Sequence, residues 1–230
     1  MRDATGRTDD TGATVTATVG STRSPAPPAD YRLLLPDGWF RVRIDPKGRA
    51  RSIDALVDRK FEGVDNAPHL KRQLRDELLA QATAAYQDGG IELYLSLQQA
   101  GPLTIPASLL ITLVRPAPGT APLDPTELAR RLSADPDAEA TVTELAAGTT
   151  LRVRRLTGQP DTPAPAGAPG SADEALPSVT VDYQVPVPGT AARLLLTFST
   201  PLVQIADAMV ELFDAVAGSL TWLEGDATHE

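Results

Sequence analysis

From Ser178 to Val187 the sequence reads SVTVDYQVPV, which places Val179, Val181, Tyr183, Val185 and Val187 at every second position. A period of two puts those five side chains on one face of an extended strand. Pro188-Gly189 follows, then a second apolar strand from Arg193 to Ser199, so the pair reads as a hairpin. A lone hairpin buries too little to be stable in water, and the rest of the chain must supply a sheet. Further strand pairs are predicted at Tyr31 to Leu35 with Gly38 to Ile44, and at Ile91 to Leu97 with Ala107 to Val114. A third, EATVTEL with TTLRVRRL, turns around Ala146 to Gly148. In the first pair the Pro-Asp-Gly at 36–38 suits a tight turn, with Pro fixing φ and Gly accepting a positive φ. The almost continuous apolar run ASLLITLV at Ala107 to Val114 predicts a central strand covered on both faces.

Helical periodicity fills the intervals. A short helix is predicted from Ser52, and a longer one from Ala67 to Gln87, with Asn66 as its cap, Pro68 in the first turn and Gly89-Gly90 as its stop. Leu70, Leu74, Leu78, Ala82 and Ala85 form its apolar stripe. Asp124, Pro125 and Glu127 form an N-cap, a first-position proline and the partner of a capping box. Thr200 and Pro201 open a last helix whose apolar face runs from Leu202 to Leu223. The order ββ, αα, ββ, α, ββ, ββ, α predicts an α+β fold, an α/β/α sandwich with a mainly antiparallel central sheet.

With 230 residues and 42% hydrophobic content the chain can build one sizeable core. A single domain is predicted over 30–224, with a flexible Pro-, Ala- and Gly-rich excursion at 158–177 and a disordered tail at 225–230. Residues 1–29 offer too little apolar surface to offset ordering and predict a disordered arm, although ATVTATV within it alternates as an edge strand would. The N-terminus contains no apolar run long enough for a signal-peptide core, and the expected location is the cytoplasm. Gln204, Asp207, Glu211 and Asp214 interrupt the longest apolar helical stretch, which excludes it as a membrane span. A net charge of -9 argues against nucleic-acid binding.

The segments LPDGW, Leu35 to Trp39, and LLLTFSTP, Leu194 to Pro201, resemble those of the Mog/PsbP-like superfamily, which includes LpqN-like proteins of actinobacteria. The 18 arginines against three lysines, with many alanines, also suggest a GC-rich bacterial genome. The resemblance spans most of residues 30 to 224. It implies the same sandwich fold and a non-enzymatic binding or assembly role, including service as an accessory of type VII-like secretion loci. The lipid-anchoring cysteine of LpqN-type proteins has no counterpart here, since the chain contains 0 Cys.

No catalytic constellation stands out, so the chain is expected not to be an enzyme and no cofactor or metal is predicted. The two histidines, His69 and His229, lack metal-ligand spacing. AGSL at Ala217 to Leu220 is no nucleophile elbow. The carboxylate pairs Asp135 with Asp137 and Asp173 with Glu174 sit in loop-like contexts. The expected partner is another protein, with the chain a monomer or weak homo-oligomer. Arg41, Arg43, Arg152 and Arg154 are candidate partner-binding residues, because basic islands on an acidic protein can orient an acidic surface. The competing assignment is that such arginines cover a sheet face with their aliphatic stems. A small-molecule pocket between sheet and helices, lined by Trp39, Phe40, Tyr94 and Tyr183, is the alternative function.

Overall fold

The computed structural model describes residues 27–64, 66–101, 103–116, 124–157 and 177–224. The expectations for residues 1–26, 158–176 and 225–230, with Asp173, Glu174 and His229 among them, lie outside the described residues. The elements in chain order are Asp30–Arg32 (β1), Trp39–Val42 (β2), Arg49–Lys60 (α1), Pro68–Gln87 (α2), Gly90–Ala100 (β3), Leu103–Val114 (β4), Pro125–Leu132 (α3), Ala138–Leu145 (β5), Gly148–Thr157 (β6), Ser178–Pro186 (β7), Arg193–Thr200 (β8), Ala206–Gly218 (α4) and Thr221–Leu223 (β9). A 3-10 turn at Val203–Ile205 leads into α4.

Seven strands form one antiparallel sheet in the order β2-β3-β4-β8-β7-β6-β5, and β1 pairs with β9 in a separate two-stranded ribbon. The alternation in β7 sets its register: Val181 lies opposite Phe198 and Tyr183 opposite Leu196, so their buried side chains share one face. That front face, with Leu109 and Ile111 of β4, packs against Met209, Phe213 and Val216 of α4. The back face is covered at two places. Ile53, Leu56 and Val57 of α1 and Leu78 and Ala82 of α2 pack on Val42 and Leu93 at one end, while Ala129 of α3 packs on Leu151 and Val153 near the other. An α/β/α sandwich with an antiparallel sheet results, as the sequence predicts, and β4 is central between β3 and β8. Among the described residues no helix is long and apolar enough to cross a membrane.

Several local expectations are corrected. Tyr31 to Leu35 and Gly38 to Ile44 do not form a hairpin: β1 pairs with β9 and β2 with β3. Pro-Asp-Gly does turn the chain, with Gly38 at φ 86°, but the turn carries it from the ribbon over the front face into the sheet edge. A Cβ at Gly38 would also lie 3.2 Å from the Gln98 Cα, so both conformation and space favour glycine there. The first helix starts at Arg49, ahead of Ser52. Asn66 does not cap α2, whose N-cap is Ala67 with no side-chain bond, although Pro68 takes the first position. Asp124 caps α3 by accepting from Thr126 N (2.8 Å) and Glu127 N (3.4 Å).

The last helix begins later and ends sooner than its apolar periodicity suggests. Thr200 is the end of β8, where its hydroxyl donates to Pro106 O (2.8 Å) and accepts from Leu202 N (3.2 Å). At the other end Ser219 caps α4, and Leu220 buries into the core before Thr221 to Leu223 turn extended. Ser219 Oγ accepts from Leu34 N (2.9 Å), tying the helix end to the segment after β1.

Candidate functional site

The four arginines singled out in sequence all have internal partners. Arg41 pairs with Glu92 and Arg43 with Asp45. Arg152 donates to both oxygens of Asp214 (2.7 and 3.2 Å), and Arg154 pairs with Asp207 (2.8 Å). They also divide between two places, β2 and its exit at one end of the sheet and β6 near the other. On the front face a carboxylate serves several groups at once. Glu92 accepts from the hydroxyls of Tyr31 (2.7 Å) and Tyr94 (2.9 Å) besides pairing with Arg41, and Asp214 accepts from Tyr183 besides Arg152.

Burial, then the hydrogen bond to Glu92, pushes the Tyr94 hydroxyl up to about 12 and the Tyr31 hydroxyl well above its ordinary range. Burial, then Asp214, does the same to Tyr183. For Arg152, burial alone would favour the neutral form, but the bonds to Asp214 outweigh it and raise its pKa. At Asp45, desolvation opposes ionisation, and the bonds from Arg43 and from Gly48 N–H outweigh it and hold the carboxyl below its ordinary range. These networks hold secondary elements together.

The four aromatics do not line one pocket. Trp39, Tyr94 and Tyr183 face front, where the rings of Trp39 and Tyr183 meet Phe198 edge-on at centroid distances of 6.5 and 5.7 Å, and Phe198 stacks on Phe213 at 4.9 Å. Phe40 faces back, under α1. Alternation along β2 sends Trp39 and Phe40 to opposite faces, so one pocket cannot hold both.

Phe40 instead lines a hollow of about 550 Å³ at the turn between α1 and α2, with Phe61, Val64, Ala67 and Leu70 as further apolar lining. Val64 and Leu70 remain 45% and 46% exposed, which is unusual for two apolar side chains on one hollow. Cations ring it. The Arg59 guanidinium lies 4.4 Å from the centroid of the Phe40 ring, and the Lys71 ammonium lies 5.8 Å from that of Phe61. Lys60 lines the same hollow. Among the described residues no carboxylate pairs with Arg59, Lys60 or Lys71, unlike the four arginines above. Lys60 also borders a second hollow of about 340 Å³, between Leu56, Leu74 and Leu78 of the helices and Leu95, Ser108 and Ser199 of the sheet. A third, of about 630 Å³, lies beside Arg41, Arg43 and Asp45, and its charges are already paired.

Sequence reasoning missed the first hollow because Phe40 and Gln98 come from the sheet and Phe61 and Leu70 from the helical turn. The local signal was RKFEGV at Arg59 to Val64, two cations ending a helix and two large apolar residues just past it. Elsewhere His69 is exposed, and Asp135 accepts from Asp137 N (3.1 Å) in a local turn. Among the described residues no group of three or more His, Cys, Asp or Glu could hold a metal ion.

The fold and the hollow define a helix-covered antiparallel sheet with a cationic, apolar concavity at one end. No family model matches the chain, and no curated protein matches it. Among solved structures it is similar to LpqN, involved in cell envelope biogenesis of Mycobacterium tuberculosis, at 11% identity over 83% of this chain and 82% of that one, with a TM-score of 0.42. It is also similar to cyanobacterial PsbP (CyanoP) from Synechocystis sp. PCC 6803, at 14% identity over 84% and 86% of the two chains, with a TM-score of 0.30. No residue's role is carried across from either.

Proposed function

We propose that this protein is a non-enzymatic protein-binding adaptor that takes an apolar segment flanked by carboxylates, presented by another protein, into the hollow at the α1–α2 turn. The observation that carries the reading is the contrast between Arg59, Lys60 and Lys71, without carboxylate partners among the described residues, and the four arginines neutralised within the fold. Phe40, Phe61, Val64 and Leu70 supply an apolar anchor site, and the cations around it select for acidic flanks. The sequence resemblance extends this proposal to a cytoplasmic partner belonging to a type VII-like secretion locus.

Fluorescence anisotropy with labelled peptides of Leu and Glu, against peptides of Leu and Lys, tests the reading. Saturable binding of the acidic peptides is expected, weakened about tenfold, or roughly 1.4 kcal/mol, by Arg59→Glu with Lys60→Glu and unchanged by Arg43→Glu. Equal binding of the basic peptides, or undiminished binding by the double variant, overturns it.

The second reading, a small-molecule site between sheet and helices, draws on the hollow of about 340 Å³ with its Leu56, Leu74 and Leu78 wall, which falls within the size range of ligand pockets, roughly 300–1,000 Å³. A ligand that raises Tm in the native chain and not in Leu78→Trp would support it.

A further inference from the structure

We propose that the outer edge of β5 is the surface on which two copies of this chain pair, strand against strand, joining their sheets into one. This stands apart from the hollow and does not depend on it.

The two edges of the sheet differ in what protects them. β2 spans 4 residues, has Arg41 within it and leads into the turn at Asp45. β5 spans 8 residues, pairs with β6 without any shift of register, and contains no Pro, Lys or Arg. Short length, bulges, Pro and charged side chains, Lys above all, are the usual means by which an edge resists pairing with another chain. β5 is not short and has no bulge, Pro or Lys; its charges are Glu139 and Glu144, and among the described residues no strand pairs with its outer side.

The strand is also complementary to itself. Antiparallel pairing centred on Val142 sets Val142 against Val142, Thr141 against Thr143, Ala140 against Glu144 and Glu139 against Leu145, so that no glutamate meets a glutamate. Val142, 38% exposed, would be covered by its counterpart. The back face adds charge complementarity. Ala138 and Ala140 pack with Leu128 and Leu132 of α3, whose last turn carries Arg130 and Arg131. Both arginines pair with the carboxylate of Glu127, and Asp135 and Asp137 follow between α3 and β5. Glu144 of the other copy enters on the face that α3 covers, opposite Ala140, where Arg130 and Arg131 are its candidate partners.

Because the chain has 0 Cys, Val142→Cys places one thiol on each copy. Sedimentation velocity over a range of concentrations should show a dimer in the full chain, and a short bis-maleimide should join Val142→Cys copies while leaving Val114→Cys, at the exposed last residue of β4, unjoined. Val142→Lys and Glu144→Arg, both at exposed positions that can change without unfolding the chain, should each weaken dimerisation at least tenfold with an unchanged circular dichroism spectrum. A chain that stays monomeric at all concentrations overturns the proposal, as does a dimer indifferent to both variants and not joined through residue 142. A monomer whose β5 amides resist hydrogen exchange also overturns it, showing that another segment covers the edge.

Discussion

The front of the sheet beneath α4 and the hollow at the α1–α2 turn both carry cations beside aromatic rings, yet they are opposite in character. In front, Arg152, with its side chain 14% exposed, is held by Asp214, which also accepts the hydroxyl of buried Tyr183, and Glu92 plays the same part for Arg41, Tyr31 and Tyr94. At the hollow, Arg59 and Lys71 lie over ring faces, among the described residues no carboxylate pairs with them, and apolar neighbours stay exposed. A cation in a strand with alternating polar positions is therefore poor evidence of a docking surface until its tertiary neighbours are known. Removing a carboxylate in front should damage the fold, whereas reversing a cation at the hollow should leave the fold intact and damage binding.

The largest expected effect that sharpens this contrast is alkaline unfolding. Tyr31, Tyr94 and Tyr183 have folded pKa values raised above 10.0, the value for Tyr94 being about 12. A group whose folded pKa is raised contributes stability that is fully present below its unfolded pKa and lost as pH rises through the folded one. Urea unfolding should therefore show stability falling from about pH 10 upward, with tyrosinate absorbance at these three residues delayed until the chain opens. Ionisation of Tyr31, Tyr94 and Tyr183 near pH 10 in a chain that remains folded would break the comparison.

Asp214→Ala comes next. It leaves the guanidinium of Arg152 and the hydroxyl of Tyr183 without their common acceptor, and should cost roughly 3 kcal/mol in urea unfolding, near the low end for a broken buried pair because Asp214 itself is partly exposed. Gly38→Ala should cost about 1–2 kcal/mol, because its φ of 86° is strained for any side chain and Gln98 crowds the added Cβ. Arg154→Ala should cost less than about 1 kcal/mol, since its partner Asp207 has a side chain 86% exposed. Smallest of all, Lys60→Glu should shift stability by no more than about 0.5 kcal/mol in either direction. A cost at Lys60 comparable to that at Asp214 would mean that the hollow is part of the folding core.

Where the sequence misled, it did so at places where local and distant interactions compete. The apolar periodicity from Leu202 to Leu223 reads as one helix because both helical and extended stretches present apolar groups to the same core. Pairing of Thr221 to Leu223 with Asp30 to Arg32 turns the end of that stretch extended, across nearly the whole length of the chain. The same ribbon removes the hairpin expected after Tyr31, since β1 finds its partner in β9 and not in β2.

By itself the sequence determined the sandwich class and the hairpins at Ala146 and Gly189, because alternation, turn residues and caps such as Asp124 act over a few residues and need no distant partner. It also determined which side chains of β7 are buried, since a period of two leaves only one choice of face once one side is apolar. Only the tertiary structure decided which cations are neutralised and which face a hollow. An ion pair such as Arg152 with Asp214 forms by proximity in space, and 62 positions of chain separate its members. The hollow likewise exists only where α1, α2 and the β2 edge meet, because a concavity belongs to the packing of elements and no single segment encodes it.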